Sequence, residues 1–161
     1  MRVAIYYKSK YGNGRKCVER FGEVVNQRGH SVEVNSMKEA NPTRVPPADL
    51  YVFSSPTRMG RPPRRVRSFL KKFKPPGGIG KYALITTHSK AEAERRSGRM
   101  PTEEDMARWR RTIPIMDEML AGKGMRKIGD LRVFVDGIKG PLEDGYAERI
   151  EKFVDELLAK M

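Results

Sequence analysis

The chain has 161 residues, enough to bury a core as one ordinary domain, and its 33 Lys and Arg against 20 Asp and Glu leave a formal charge of +13. That charge draws anionic ligands, acidic proteins and, weakly, nucleic acid, and by itself selects none of them. One cysteine, Cys17, excludes an internal disulfide, and no window is apolar or long enough for a signal peptide or membrane span, so a cytoplasmic protein with a single domain over residues 1–161 is expected.

In chain order, the first apolar run is VAIYY at 3–7. Residues 15–28 then place Cys17, Val18, Phe21, Val24 and Val25 on one helical face and stop at Gly29. SVEVNS at 31–36 alternates Val32 and Val34 with polar neighbours, as a partly exposed edge strand does. Residues 37–49 are interrupted by prolines and support at most one helical turn. LYVFS at 50–54 and YALITT at 82–87 read as strands buried on both faces. Between them, residues 63–74 set Val66, Phe69, Leu70 and Phe73 at helical spacing behind the helix-starting prolines Pro62 and Pro63.

The segment 102–121 opens on a capping pair, Thr102 and Asp105. Its spacing sends Met106, Trp109, Ile113, Met116 and Leu120 inward, and Pro114 should kink or divide it. LRVFV at 131–135 is a fifth strand, and the stripe Tyr146, Ile150, Phe153, Val154, Leu157 and Leu158 marks a helix over 141–161. The highly charged segment 88–101 is the longest irregular candidate, a length usually found in functional or mobile loops. Strands alternating with helices predict a parallel sheet covered on both faces, a three-layer α/β sandwich.

In such a sheet ligands sit beyond the carboxyl ends of the strands, where the strand order reverses. The stretch KSKYGNG after the first strand offers successive main-chain N–H groups at a helix N-terminus, a concave anion site with the helix dipole behind it. Gly12 and Gly14 allow close approach, Asn13 tolerates unusual dihedrals, and the Ser9 and Tyr11 hydroxyls can donate. A phosphate would satisfy these donors; an ordinary βα turn with no ligand is the alternative. The stretch is neither a Walker loop nor a GxGxxG fingerprint, so nucleoside triphosphate and dinucleotide readings lose their main support. SSPTRMGRPP at 54–63 and TTHSK at 86–90 follow the next two buried strands, and in the strand order 2-1-3-4-5 all three loops converge on one edge.

SKYGN at 9–13 resembles the FMN phosphate loop of flavodoxin-like proteins. DLYVFSSPTRMG at 49–60 is similar to the strand and flavin-ring loop of the NAD(P)H:quinone oxidoreductases of the tryptophan-repressor-binding-protein branch. The resemblance covers essentially the whole chain in element order and implies the flavodoxin-like fold with FMN as cofactor. It implies that Ser9, Lys10, Tyr11, Gly12, Asn13 and Gly14 hold the phosphate, that the loop of Pro56, Thr57, Arg58, Met59 and Gly60 lines the flavin ring, and that Thr87, His88 and Ser89 are positional candidates in the third loop. Gly14 stands where ordinary flavodoxins have threonine, removing one side-chain contact, and the third loop lacks the branch's Ser-Thr-Gly run.

Single features have competing readings. Trp109 reads as core rather than a flavin lid, and Tyr11 either stacks near the flavin or covers the first turn. His30 reads as a solvated turn residue, while His88 is either a ligand contact or exposed. Cys17 lies on an apolar stripe and reads as buried, and two histidines with no carboxylate cluster leave no metal site. The basic series Arg58, Arg61, Arg64, Arg65, Arg67, Lys71, Lys72 and Lys74 reads mainly as a solvated helix face, because no aromatic-interleaved platform accompanies it; nucleic acid is thereby disfavoured.

The resulting expectation is an FMN-binding electron-transfer protein or small oxidoreductase. It would serve a redox partner protein or a quinone-like acceptor, with NAD(P)H as a candidate donor and a homo-oligomer left open. The rival is a flavin-free binding module for an anionic partner. One cation roughly 6 Å from a reduced flavin, at an effective dielectric near 20, favours the anion by about 2–3 kcal/mol, so Arg58 is expected to raise the reduction potential.

Overall fold

The computed structural model describes residues 1–78, 80–90, 100, 102–137 and 139–161. The chain runs β1 (Arg2–Tyr7), α1 (Asn13–Gln27), β2 (Ser31–Ser36), β3 (Leu50–Pro56), α2 (Arg64–Lys72), β4 (Lys81–Ser89), α3 (Glu103–Trp109), α4 (Thr112–Ala121), β5 (Arg126–Val135) and α5 (Tyr146–Ala159). All neighbouring strands pair in parallel, in the order β2-β1-β3-β4-β5. Most of the 88–101 segment lies outside the described residues.

The period of two in the central strands sorts the core into two layers. Val3 and Ile5 of β1, Leu50 and Val52 of β3, and Ala83 and Ile85 of β4 face α1 and α5, where Cys17, Val18, Phe21, Ile150, Phe153 and Leu157 cover them. The alternate residues, Ala4, Tyr6, Tyr51, Phe53, Tyr82 and Leu84, face α2 and α4. There Phe73 packs edge-on against Phe53 and Tyr51, with centroids 5.0 and 5.3 Å away, while Tyr6 and Phe69 sit 5.3 Å apart. Each such ring contributes roughly 1.5–3 kcal/mol by leaving water. The Tyr82 hydroxyl donates to Asp117 Oδ1 at 2.8 Å. Cys17 is fully buried, and burial pushes its thiol up to about 12, so it packs as a small hydrophobe.

Helix ends follow the chemistry of their residues. At the end of α1, Gly29 takes φ +85°, its N–H donates to the Asn26 carbonyl, and the His30 N–H donates to that of Val25. Thr102 and Asp105 form the reciprocal cap expected for α3. Between α3 and α4 the chain breaks at Arg110 and Arg111, and Pro114 lies in the first turn of α4, where a missing N–H costs no intrahelical bond. Among the described residues no helix is long and apolar enough to cross a membrane.

That break overturns one expectation. Trp109 is 51% exposed and α3 buries none of its residues, whereas Ile113, Met116 and Leu120 of α4 are buried as expected. A single helical period across 102–121 assigned Trp109 an inner face that the turn at 110–111 removes. Instead the backbone of the break meets the second loop: the Arg111 N–H, at the start of α4, donates to the Gly60 carbonyl at 2.8 Å.

Candidate functional site

The carboxyl ends of β1, β3, β4 and β5 open into one cleft of about 420 Å³, within the range of small-molecule sites. Ser9, Lys10, Tyr11, Asn13 and Gly14 come from the first loop, Pro56, Thr57, Arg58 and Met59 from the second, and Thr87, His88 and Ser89 from the third. Gly12 and Gly60 shape these loops without lining the cleft.

At the first loop Gly12 takes φ +89° as the N-cap of α1, a conformation glycine reaches without the cost a side chain imposes. Its N–H donates to Ser9 Oγ at 3.1 Å, which leaves the Ser9 hydroxyl proton free to donate outward. Among the described residues the N–H groups of Asn13 and Gly14, at the start of α1, meet no acceptor. The Lys10 and Lys139 ammonium groups lie 5.2 and 6.0 Å from the Tyr11 ring centroid, so the cup is flanked by cations as well as by the helix dipole. A donor set of free amides, a hydroxyl and lysines suits a phosphate dianion.

The second loop is a tight hairpin. The N–H of each of Arg58 and Arg61 donates to the other's carbonyl, at 2.8 and 2.9 Å, with Met59 at φ +51° and Gly60 at φ +78° between them. Two positive φ angles in that frame make a type I′ turn. It presents Met59 fully to solvent and holds Arg58 at the cleft's lip. A Cβ on Gly60 would lie 2.8 Å from the Arg108 carbonyl oxygen and 2.9 Å from that of Trp109, so this turn is wedged against the end of α3.

His88 lines the cleft but is only 3% exposed, which overturns the exposed alternative. Because β4 continues to Ser89 between β3 and β5, the imidazole is clamped by threonines: Thr86 Oγ1 is 2.7 Å from Nε2 and Thr57 Oγ1 is 3.0 Å from Nδ1. Thr57 Oγ1 in turn lies 2.8 Å from Thr112 Oγ1 of α4. The chain of hydroxyls and imidazole ties the second loop to β4 and α4. Burial first, and then Arg132 and Arg110, lower His88 to about 3, so the ring is neutral at ordinary pH.

Sequence reasoning missed the fourth wall, the loop after β5. Val135 lines the cleft, the Asn13 amide donates to the Lys139 carbonyl at 3.2 Å, and Ser89 Oγ donates to the Gly137 carbonyl at 3.2 Å. The signal was present as the glycines and proline of residues 137–141, a turn at the end of β5, the edge strand.

The sequence pattern of the flavodoxin domain matches residues 4–137. The chain belongs to the flavodoxin domain family. No curated protein matches it. Oxidised flavodoxin 1 from Bacillus cereus superposes with a TM-score of 0.73 at 16% identity, covering 100% of this chain and 99% of that one. The flavodoxin of Streptococcus pneumonia TIGR4 gives 0.72 at 18% identity with both chains fully covered. The rubredoxin oxygen:oxidoreductase of Desulfovibrio gigas gives 0.66 at 17% identity, with 99% of this flavodoxin-family chain matching 35% of that longer one. At such identities these likenesses establish the fold, and the site rests on the residues above.

Proposed function

We propose that this flavodoxin-family chain binds FMN in the cleft and works as an electron-transfer flavoprotein. The observation that carries the reading is the convergence of free amides at the start of α1 with a roomy, partly apolar cleft at the switch point of the sheet. FMN, when bound, supplies the electron or hydride chemistry. The protein's own part is to hold and tune. Ser9 and the free amides of Asn13 and Gly14, with Lys10 and Tyr11 beside them, bind the phosphate on a loop turned by Gly12; Pro56, Thr57, Arg58 and Met59 wall the ring on a turn shaped by Gly60; and Thr87, His88 and Ser89 close the third side. Neutral His88 keeps Thr57 in place without adding a charge. Reconstitution tests this: the protein purified with FMN should be yellow and quench flavin fluorescence, and colourless protein that leaves the fluorescence unchanged would reject it.

Arg58 is exposed at the lip, so solvent screens it below the 2–3 kcal/mol limit. Replacing Arg58 by Gln should therefore lower the flavin midpoint potential by roughly 30–100 mV; an unchanged or higher potential refutes the role. Gly14 has no positive φ, and a Cβ there would sit 3.4 Å from the nearest atom, the Lys8 carbonyl oxygen. A Cβ is therefore accommodated, and a threonine hydroxyl placed there should tighten FMN by about tenfold, one charge-assisted bond. Titration of Gly14→Thr against the parent protein checks it.

A quinone-reducing activity, with NADH or NADPH as donor, is the finer reading. The PTRMG loop favours it, and NAD(P)H oxidation by a quinone in the presence of the FMN-loaded protein is its assay.

A further inference from the structure

Across residues 58–74 the chain carries eight Lys and Arg and no Asp or Glu. Among the described residues none of these eight side chains forms an ion pair, although carboxylates elsewhere pair freely, as Arg28 does with Glu151 and Asp155. Arg64 and Arg65 occupy the first turn of α2, where the helix dipole disfavours cations and no acidic residue offsets them. Stability alone would not put them there.

These cations continue into the cleft. Lys8 is pulled below its ordinary value by burial and then by Arg65, Arg58, Lys38 and Lys10, residues of four different segments, with no carboxylate opposing them. Lys10 and Arg58 line the cleft, while Lys38 and Arg65 line a neighbouring groove with Arg64 and Lys72. The two surfaces are thus one cationic face meeting at Lys8. At its edge the hairpin presents Met59 fully exposed, the apolar contact a transient interface needs beside its charges.

We infer that this face docks an acidic electron-transfer protein, placing its redox centre over the cleft. The proposal rests on the flavin reading above. In each encounter one electron leaves the reduced partner and enters the flavin, so the partner is oxidised by one unit and no third reactant is needed.

The test uses reduced plant-type [2Fe–2S] ferredoxin as the acidic probe, cytochrome c as the basic one, and a single-stranded thymidine oligonucleotide as a nucleic-acid competitor. Ferredoxin should bind at low salt and weaken by about tenfold or more at several hundred millimolar salt. The double variant Arg64→Glu, Arg65→Glu should weaken it by at least about tenfold. Because both residues are exposed and outside the cleft, FMN affinity should be unchanged, and the thermal midpoint should hold or rise as the dipole conflict is relieved. Ferredoxin binding that ignores salt and charge reversal, a preference for cytochrome c, or displacement by the oligonucleotide at lower concentration overturns the proposal. Docking is measured on flavin-free protein as well: salt-dependent binding there, combined with no uptake of FMN on reconstitution, would reject the flavin reading and leave the docking face standing.

Discussion

Gly60→Ala is expected to lower the thermal midpoint by roughly 10 °C, the largest effect of any single methyl group added at the site. Two costs add. The left-handed backbone at φ +78° costs a non-glycine residue about 1–2 kcal/mol. The new Cβ would also stand under 3.0 Å from two carbonyl oxygens of α3, and backbone cannot rotate away as a side chain can, so overpacking adds about 1–3 kcal/mol. For a chain of this size each kcal/mol shifts the midpoint by about 2–4 °C. Gly29→Ala is the control, since Gly29 has φ +85° with nothing within 4 Å of its Cβ and should show the backbone cost alone. Thermal unfolding of both variants separates the two. Equal losses would mean that the hairpin is not wedged against α3, and the second wall of the cleft would lose its support.

The second large effect is a pH dependence. His88 sits at about 3 in the folded chain against about 6.5 unfolded. Below pH 6.5 the unfolded chain therefore binds a proton that the folded chain refuses, so stability present above that pH is lost as pH falls. The slope should be about 1.4 kcal/mol per pH unit from near pH 6 down to near pH 4.5. Asp105 and Asp155, held below the usual carboxylate range by hydrogen bonds and ion pairing, add their losses only in more acid solution. Urea unfolding at several pH values measures the slope. His88→Gln keeps groups that can bond Thr57 and Thr86 but cannot titrate, and should flatten the curve between pH 6 and 4.5. A parent protein of constant stability over that window would show that His88 is reached by water.

What the sequence made legible follows from where packing is simple. The runs at 3–7, 50–54 and 82–87 are central strands covered on both faces, so hydrophobicity alone marked them, and α1, α2 and α5 each bury one continuous stripe. β5 begins at Arg126, five residues before its apolar run, because it lies at the sheet's edge and mixes charged residues with Ile128. Gly129 there lets α5 approach, since a Cβ would lie 2.8 Å from Leu157 Cδ2. Trp109 was misplaced because period arguments assume one uninterrupted helix. The exposed alternative for His88 failed for a related reason: the strand continued past its last apolar residue, and polar side chains buried there satisfy one another, a pattern hydropathy does not register. The first two loops were legible because their chemistry is local, in glycines and hydroxyls at a strand end. The fourth wall depends on contacts between Asn13 and Lys139, distant in sequence, which no local reading supplies.

The most direct measurement compares calorimetric binding of FMN with that of riboflavin, which carries the same ring and no phosphate. If the free amides of Asn13 and Gly14 and the Ser9 hydroxyl seize a dianion, FMN should bind at least about 100-fold more tightly, the contribution of two charge-assisted hydrogen bonds. Equal affinity for the two, or no uptake of FMN at millimolar concentration by folded protein, would contradict it.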